Sequence, residues 1–137
     1  MSVMPDEKPY RFLTGEHIEV ESLDRGLHHW ISRPGLTDAE NLLVVRVEVE
    51  PGNGHPFHHH PHQEEVLYVL EGRMEQWVEK EKKVLEPGEA VHIPPGVVHA
   101  SYNSSEEPMV FLAMISPAEA EPFMIEVDEA EPWRSLR

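Results

Sequence analysis

The stretch GNGHPFHHHPHQEEVLYVLEG, residues 52–72, decides how this chain is read, through the spacing of Gly52, His58, His60, Glu65 and Gly72. Side chains along an extended strand alternate between faces, so His58 and His60 share one face and His59 takes the other. Two imidazoles so placed make a pincer for a metal ion. Pro61, His62 and Gln63 then interrupt the strand. The break predicts a turn that brings the run 65–70 back alongside the first strand, with the Glu65 carboxylate facing the imidazoles. A second stretch, GEAVHIPPGVVHASYN at residues 88–103, puts His99 in another β-rich run just after the Pro94-Pro95-Gly96 turn. His99 is the fourth candidate ligand.

Working outward, 13 prolines and 8 glycines separate short runs of Val, Ile, Leu and aromatic residues, the rhythm of an all-β domain. Strands are predicted over 17–22, 27–32, 43–50, 65–70, 74–79, 89–93, 97–102 and 109–115. Within 43–50, Val45, Val47 and Val49 fall on one face and Arg46, Glu48 and Glu50 on the other, so one face is core and one is wet. The cluster Lys80-Glu81-Lys82-Lys83 reads as an exposed hairpin tip. Beyond Pro117 the chain turns acidic, yet Phe123-Met124-Ile125 is apolar enough to dock as an edge strand, on this domain or on a partner.

A chain of 137 residues is one domain, long enough to bury a core without cross-links. It has no cysteine, which excludes a disulfide framework and thiolate zinc sites. The formal charge of −15, from 26 acidic against 11 basic residues, repels phosphate backbones and anionic membranes, so neither nucleic acid nor membrane is an expected partner. No apolar run approaches the roughly 20 residues of a membrane span, and residues 1–8 lack the apolar centre of a signal peptide. A soluble cytoplasmic protein is the expectation. Hydrolase elbows, phosphate loops and dinucleotide fingerprints have no counterpart in the sequence.

Both quoted stretches match, position for position, the two signature motifs of the cupin superfamily, with residues 73–87 between them. Over residues 52–103 the chain resembles a small single-domain cupin of bacterial type. The resemblance implies a single antiparallel β-barrel, or double-stranded β-helix jelly roll, over residues 1–137. Its core would occupy about 38–117, with 1–37 and 118–137 as flanking strands and tails. It also implies a metal ion inside the barrel, held by His58, His60, Glu65 and His99, and pairing through exposed strand edges into a homodimer.

Three imidazoles and a carboxylate suit one divalent transition ion, Fe, Mn, Co, Ni, Cu or Zn, rather than magnesium or calcium. Four protein ligands leave positions open on a six-coordinate ion, which fits a small-molecule substrate that chelates through neighbouring oxygens, such as a hydroxy acid, a diketone or a catechol-like enol. Family resemblance favours an oxidoreductase of dioxygenase type. The alternatives are a non-redox metal-dependent isomerase, lyase or decarboxylase, and a non-catalytic module that binds a small ligand.

Ligating histidines usually donate their second N–H to an acceptor, and Ser101, Asn103 and Gln76 are the candidates for that role or for substrate contact. Asn103 reads equally well as a turn residue. For a catalytic role beyond the metal, His62 and Gln76 are the candidates. His55 and His62 read as loop histidines flanking the motif, with His62 the better choice of the two. His17, His28, His29 and His92 follow no ligand spacing and read as strand-face residues. Trp30 and Trp77 read as core or barrel wall, and Phe57 as packed on the outer face.

Overall fold

In the computed structural model, which describes residues 7–137, the chain forms eleven strands and one short helix. The strands are β1 (Glu19–Leu23), β2 (Gly26–Ser32), β3 (Leu43–Val49), β4 (Gly54–His59), β5 (Glu64–Glu71), β6 (Met74–Val78), β7 (Glu81–Leu85), β8 (Ala90–Ile93), β9 (His99–Tyr102), β10 (Met109–Ser116) and β11 (Ile125–Glu126); α1 covers Trp133–Leu136. Most of the segment read for a signal peptide lies outside the described residues. Among those described, no helix is long and apolar enough to cross a membrane.

Two antiparallel sheets face one another, ordered β1-β2-β3-β10-β5-β8 and β11-β4-β9-β6-β7. This is the all-β, double-sheet jelly-roll architecture expected from the motifs. Strand β3 shows why the sheets stack: Leu43, Val45, Val47 and Val49 are buried while the residues between them are half-exposed. The three valines join Leu67 and Val69 of β5, Met74 of β6, Leu85 of β7 and Phe111 of β10 in one core between the sheets. Each such side chain taken fully out of water contributes about 1.5–3 kcal/mol before entropy is counted.

The outer face of the five-stranded sheet has its own cover. Phe57, Trp77 and Ala100 are buried there beneath Val127, Trp133 and Leu136 of the C-terminal segment. Phe57 lies outside, as the alternation predicts, edge-on to Trp77 with ring centroids 5.7 Å apart. The segment is tied down by Val127 N–H donating to the Phe57 carbonyl at 2.9 Å and by Arg137 donating to Glu75 at 2.7 Å. Strand β11 pairs with β4 opposite His59 and His58, so the apolar run near residue 125 docks as an edge strand on this domain itself.

Three expectations need correction. Strand β5 does not return alongside β4; it lies in the opposite sheet between β10 and β8. Pro61 cannot donate to a continuing ladder, and buried Gln63 anchors the crossing by donating to the Pro117 carbonyl at 2.8 Å. Residues 81–83 are not a hairpin tip but the start of β7, a sheet edge where exposed lysines discourage pairing with other chains. The turn is Glu79-Lys80, with Glu79 at φ 53°. Finally, His17 sits in a turn ahead of β1, where its Nδ1 lies 3.2 Å from the Thr14 amide, and is no strand-face residue.

Candidate metal centre

Neighbouring strands of one sheet supply the three imidazoles. His58 on β4 pairs in register with His99 on β9, and His60 follows β4 directly, its carbonyl accepting from Gly96 N–H at 2.9 Å. Strands β4 and β9 approach closely because Gly54 has no side chain: a Cβ there would stand 2.5 Å from the Ser101 carbonyl oxygen. Glu65 comes from β5, across the barrel. Donor atoms of His58, His60 and His99 all lie within 4.8 Å of one another, and all three residues are buried. Glu65 Oε1 is 3.0 Å from His99 Nε2 and 3.9 Å from His60 Nε2. Glu65 thus stands beside two of the three clustered imidazoles.

Their hydrogen bonds fix which nitrogen is bare. Each Nδ1 faces a backbone carbonyl: His58 that of Pro56 at 2.7 Å, His60 that of Phe123 at 2.9 Å, His99 that of Val97 at 3.0 Å. A carbonyl only accepts, so each Nδ1 carries the hydrogen and each neutral ring leaves Nε2 as a lone pair aimed at the others. Burial pushes His58 well below the usual imidazole range, reinforced by neighbouring His55 and His99. His60 is lowered by burial, against the opposing pull of Glu65. Both are therefore neutral near pH 7, the state a metal ion needs.

The arrangement fits a divalent transition ion on an observation of its own. His99 Nε2 is buried and has no hydrogen-bond partner, although a carboxylate oxygen stands 3.0 Å away. Two lone-pair donors so close repel unless a cation lies between them. Donors about 2.1 Å from a common ion and at right angles to each other are about 3.0 Å apart, which is the spacing found.

The carbonyls also correct the supporting cast. Ser101, Asn103 and Gln76 do not orient the ligating histidines; the backbone of Pro56, Val97 and Phe123 does. Ser101 lines the cavity and donates to Gln76 Oε1 at 2.6 Å, so Gln76 stands behind Ser101 and is absent from the cavity wall. Asn103 is a turn residue, donating to the carbonyls of Val49 and Glu107 at 2.9 and 2.7 Å and accepting from the Ser105 amide and hydroxyl. His62 is exposed in the turn between β4 and β5 and does not line the cavity. His59 likewise stays out of it.

His55 is the residue that the sequence reading placed wrongly. It belongs to β4, lines the cavity and stacks on His58, with ring centroids 3.5 Å apart and planes 11° from parallel. Pairing between β4 and β9 shifts register between His55 and His58, and that irregularity swings His55 to the same side as His58 despite the odd spacing. Pro56, which cannot join a ladder, was the one sequence signal for it. His28 and Trp30, read as strand-face and core or wall, also line this cavity.

The cavity holds about 80 Å³ and is lined on its far side by Leu43, Val45, Val47, Leu67, Phe111 and Ile115. At about 10–15 Å³ per water, that is room for roughly five to eight waters, or one compact organic molecule. One wall is apolar and the other carries the donor cluster.

A family profile described as "Cupin domain" matches residues 45–115. The chain is 30% identical over 124 residues to quercetin 2,3-dioxygenase of Bacillus subtilis (strain 168), an alignment covering 90% of this chain and 36% of that protein. It is 30% identical over 95 residues to tetracenomycin polyketide synthase protein TcmJ of Streptomyces glaucescens, covering 69% of this chain and 64% of that one. The chain thus spans between about a third and two thirds of these relatives' length. Among solved structures, an RmlC-like cupin from Shewanella frigidimarina NCIMB 400 superposes with a TM-score of 0.69 at 25% identity, over 86% of this chain and 98% of that one.

Proposed function

This chain belongs to the cupin family, and from that premise we propose that it is a metal-dependent enzyme acting on a small molecule, an oxidoreductase of dioxygenase type. The observation that carries the reading is the set of three buried Nε2 atoms, each stripped of its hydrogen by a carbonyl on the far side of the ring, gathered with Glu65 at the end of an apolar cavity. A divalent transition ion held by His58, His60, Glu65 and His99 would supply Lewis acidity and, as iron or copper, an electron path to dioxygen.

The chain's own residues do the rest. Backbone carbonyls hold the three rings in one tautomer, and the Glu65 carboxylate would offset part of the charge of a bound ion. Val45, Val47, Leu67 and Phe111 exclude water from the space beside the donors and favour a planar or apolar substrate body.

Non-redox isomerase or lyase chemistry needs a group that takes and returns a proton near neutral pH. His55 is the nearest candidate beside the donors, but burial, with help from the Arg25 charge, drives it down to about 2. His28 is lowered by burial too.

The test is metal analysis of protein purified without a nickel column, followed by oxygen electrode measurements with a flavonol, a catechol and a diketone. Bound iron or copper together with oxygen uptake on one of these supports the reading; zinc or nickel without uptake overturns the dioxygenase assignment. His58→Ala is expected to lower metal content at least tenfold while the barrel still folds, and full retention would refute the ligand set.

A further inference from the structure

Arg25 stands in the two-residue turn between β1 and β2, closed by the pairing of Leu23 with Gly26. Its side chain lines the cavity and is only partly exposed. Among the described residues it makes no hydrogen bond or ion pair, although the chain has 26 acidic residues to offer one. Of the groups lining the cavity, Arg25 is the one permanent cation and Glu65 the one carboxylate, and Glu65 belongs to the donor cluster.

A partly desolvated guanidinium with no counter-charge is costly, and folds normally pair it. The turn fixes the backbone from which Arg25 projects: Gly26 holds φ at 131°, and a Cβ there would stand 2.6 Å from the Glu48 carbonyl oxygen. The same cavity is lined by the apolar side chains of Val45, Val47 and Phe111.

We propose that Arg25 is the specificity-determining residue for a compact organic anion, a carboxylate with an apolar body, whose acid group pairs with the guanidinium while the body lies along the apolar wall toward the histidines. A planar guanidinium offers two parallel N–H donors to a carboxylate, a match that an alcohol or an amide of the same shape does not make. The strongly negative chain repels anions in bulk, so their acceptance depends on this one local charge. The inference rests on the cavity being the substrate site and does not depend on which reaction occurs there.

The experiment compares benzoate with benzamide, alike in shape and different in charge, by calorimetric titration into the protein as purified. Benzoate is expected to bind at least tenfold more tightly. Arg25→Gln should abolish that preference, and Arg25→Lys, which keeps the charge without the fork, should retain part of it. Equal binding of the two probes overturns the proposal, as does a preference that survives in Arg25→Gln. So does benzoate failing to bind at about 10 mM, tenfold above the millimolar range expected of one paired carboxylate. His58→Ala separates this from the metal reading: a preference kept in that variant and lost in Arg25→Gln places the anion at Arg25 whatever the ion does. The reverse pattern assigns the anion to the metal and overturns the proposal.

Discussion

Mild acid should destabilise the metal-free protein between pH 7.0 and 5.5, above the ordinary range of carboxylate titration. His55 and His58 are both held far below the ordinary imidazole value, chiefly by burial. In the unfolded chain each returns to about 6.5 and takes up a proton, so unfolding binds protons and acid favours it. The stabilisation is therefore fully present above pH 6.5 and drains away as pH falls below it. Between pH 7.0 and 5.5 each histidine removes about 1.2 kcal/mol, and the pair about 2.5 kcal/mol. In urea, with a slope of about 1–3 kcal/mol/M, the midpoint should fall by roughly 1–2 M. The assay is urea unfolding followed by Trp fluorescence in EDTA, at about 0.5 M NaCl. There a Debye length of about 4 Å suppresses the opposing relief of net negative charge. His55→Phe keeps a ring stacked on His58 and should halve the loss. A midpoint that does not move between the two pH values, or one that moves equally in His55→Phe, would refute the reasoning.

Two further outcomes follow from the scaffold around the donors. Asn103→Ala removes four hydrogen bonds from a fully buried side chain and takes the side-chain donor from the Val49 carbonyl, so thermal unfolding should show a loss of about 2–4 kcal/mol with metal content per folded molecule unchanged. Gly54→Ala drives a methyl group into the backbone of Ser101 and Tyr102, forcing β4 away from β9 and His58 away from His99; about 1–3 kcal/mol of stability and a measurable share of bound metal should be lost together, whereas retention of both would show that the strands can separate without harm.

What the sequence made legible was whatever depends on alternation and spacing. His58 and His60 share a face because nothing interrupts the strand between them, and His99 is placed by the turn at Pro94-Pro95-Gly96. The buried stripe of β3 follows from the same two-residue period. What stayed hidden depends on contacts between distant parts of the chain. The shift of register near Pro56 reversed the parity of His55, and the crossing after Pro61 sent Glu65 to the far sheet, so it meets the imidazoles from across the barrel and not from the strand beside them. Charge misled at β7, where lysines protect a strand edge instead of decorating a loop. The acceptors that set the imidazole tautomers were beyond reach for a different reason: they are carbonyls, which every residue possesses, so side-chain chemistry gives no sign of them. The turn that carries Arg25 is marked by Asp24 and Gly26, but nothing in local sequence says that its side chain lines the cavity.

The carbonyl that aims His60 belongs to Phe123, 63 residues further along the chain. As the polypeptide leaves the ribosome, all four donors are available once residue 99 has emerged, yet one ring lacks its orienting acceptor until the terminal strap has been synthesised and laid against β4. An ion arriving before that moment would find one imidazole still free to turn, so tight capture would wait until the strap is in place.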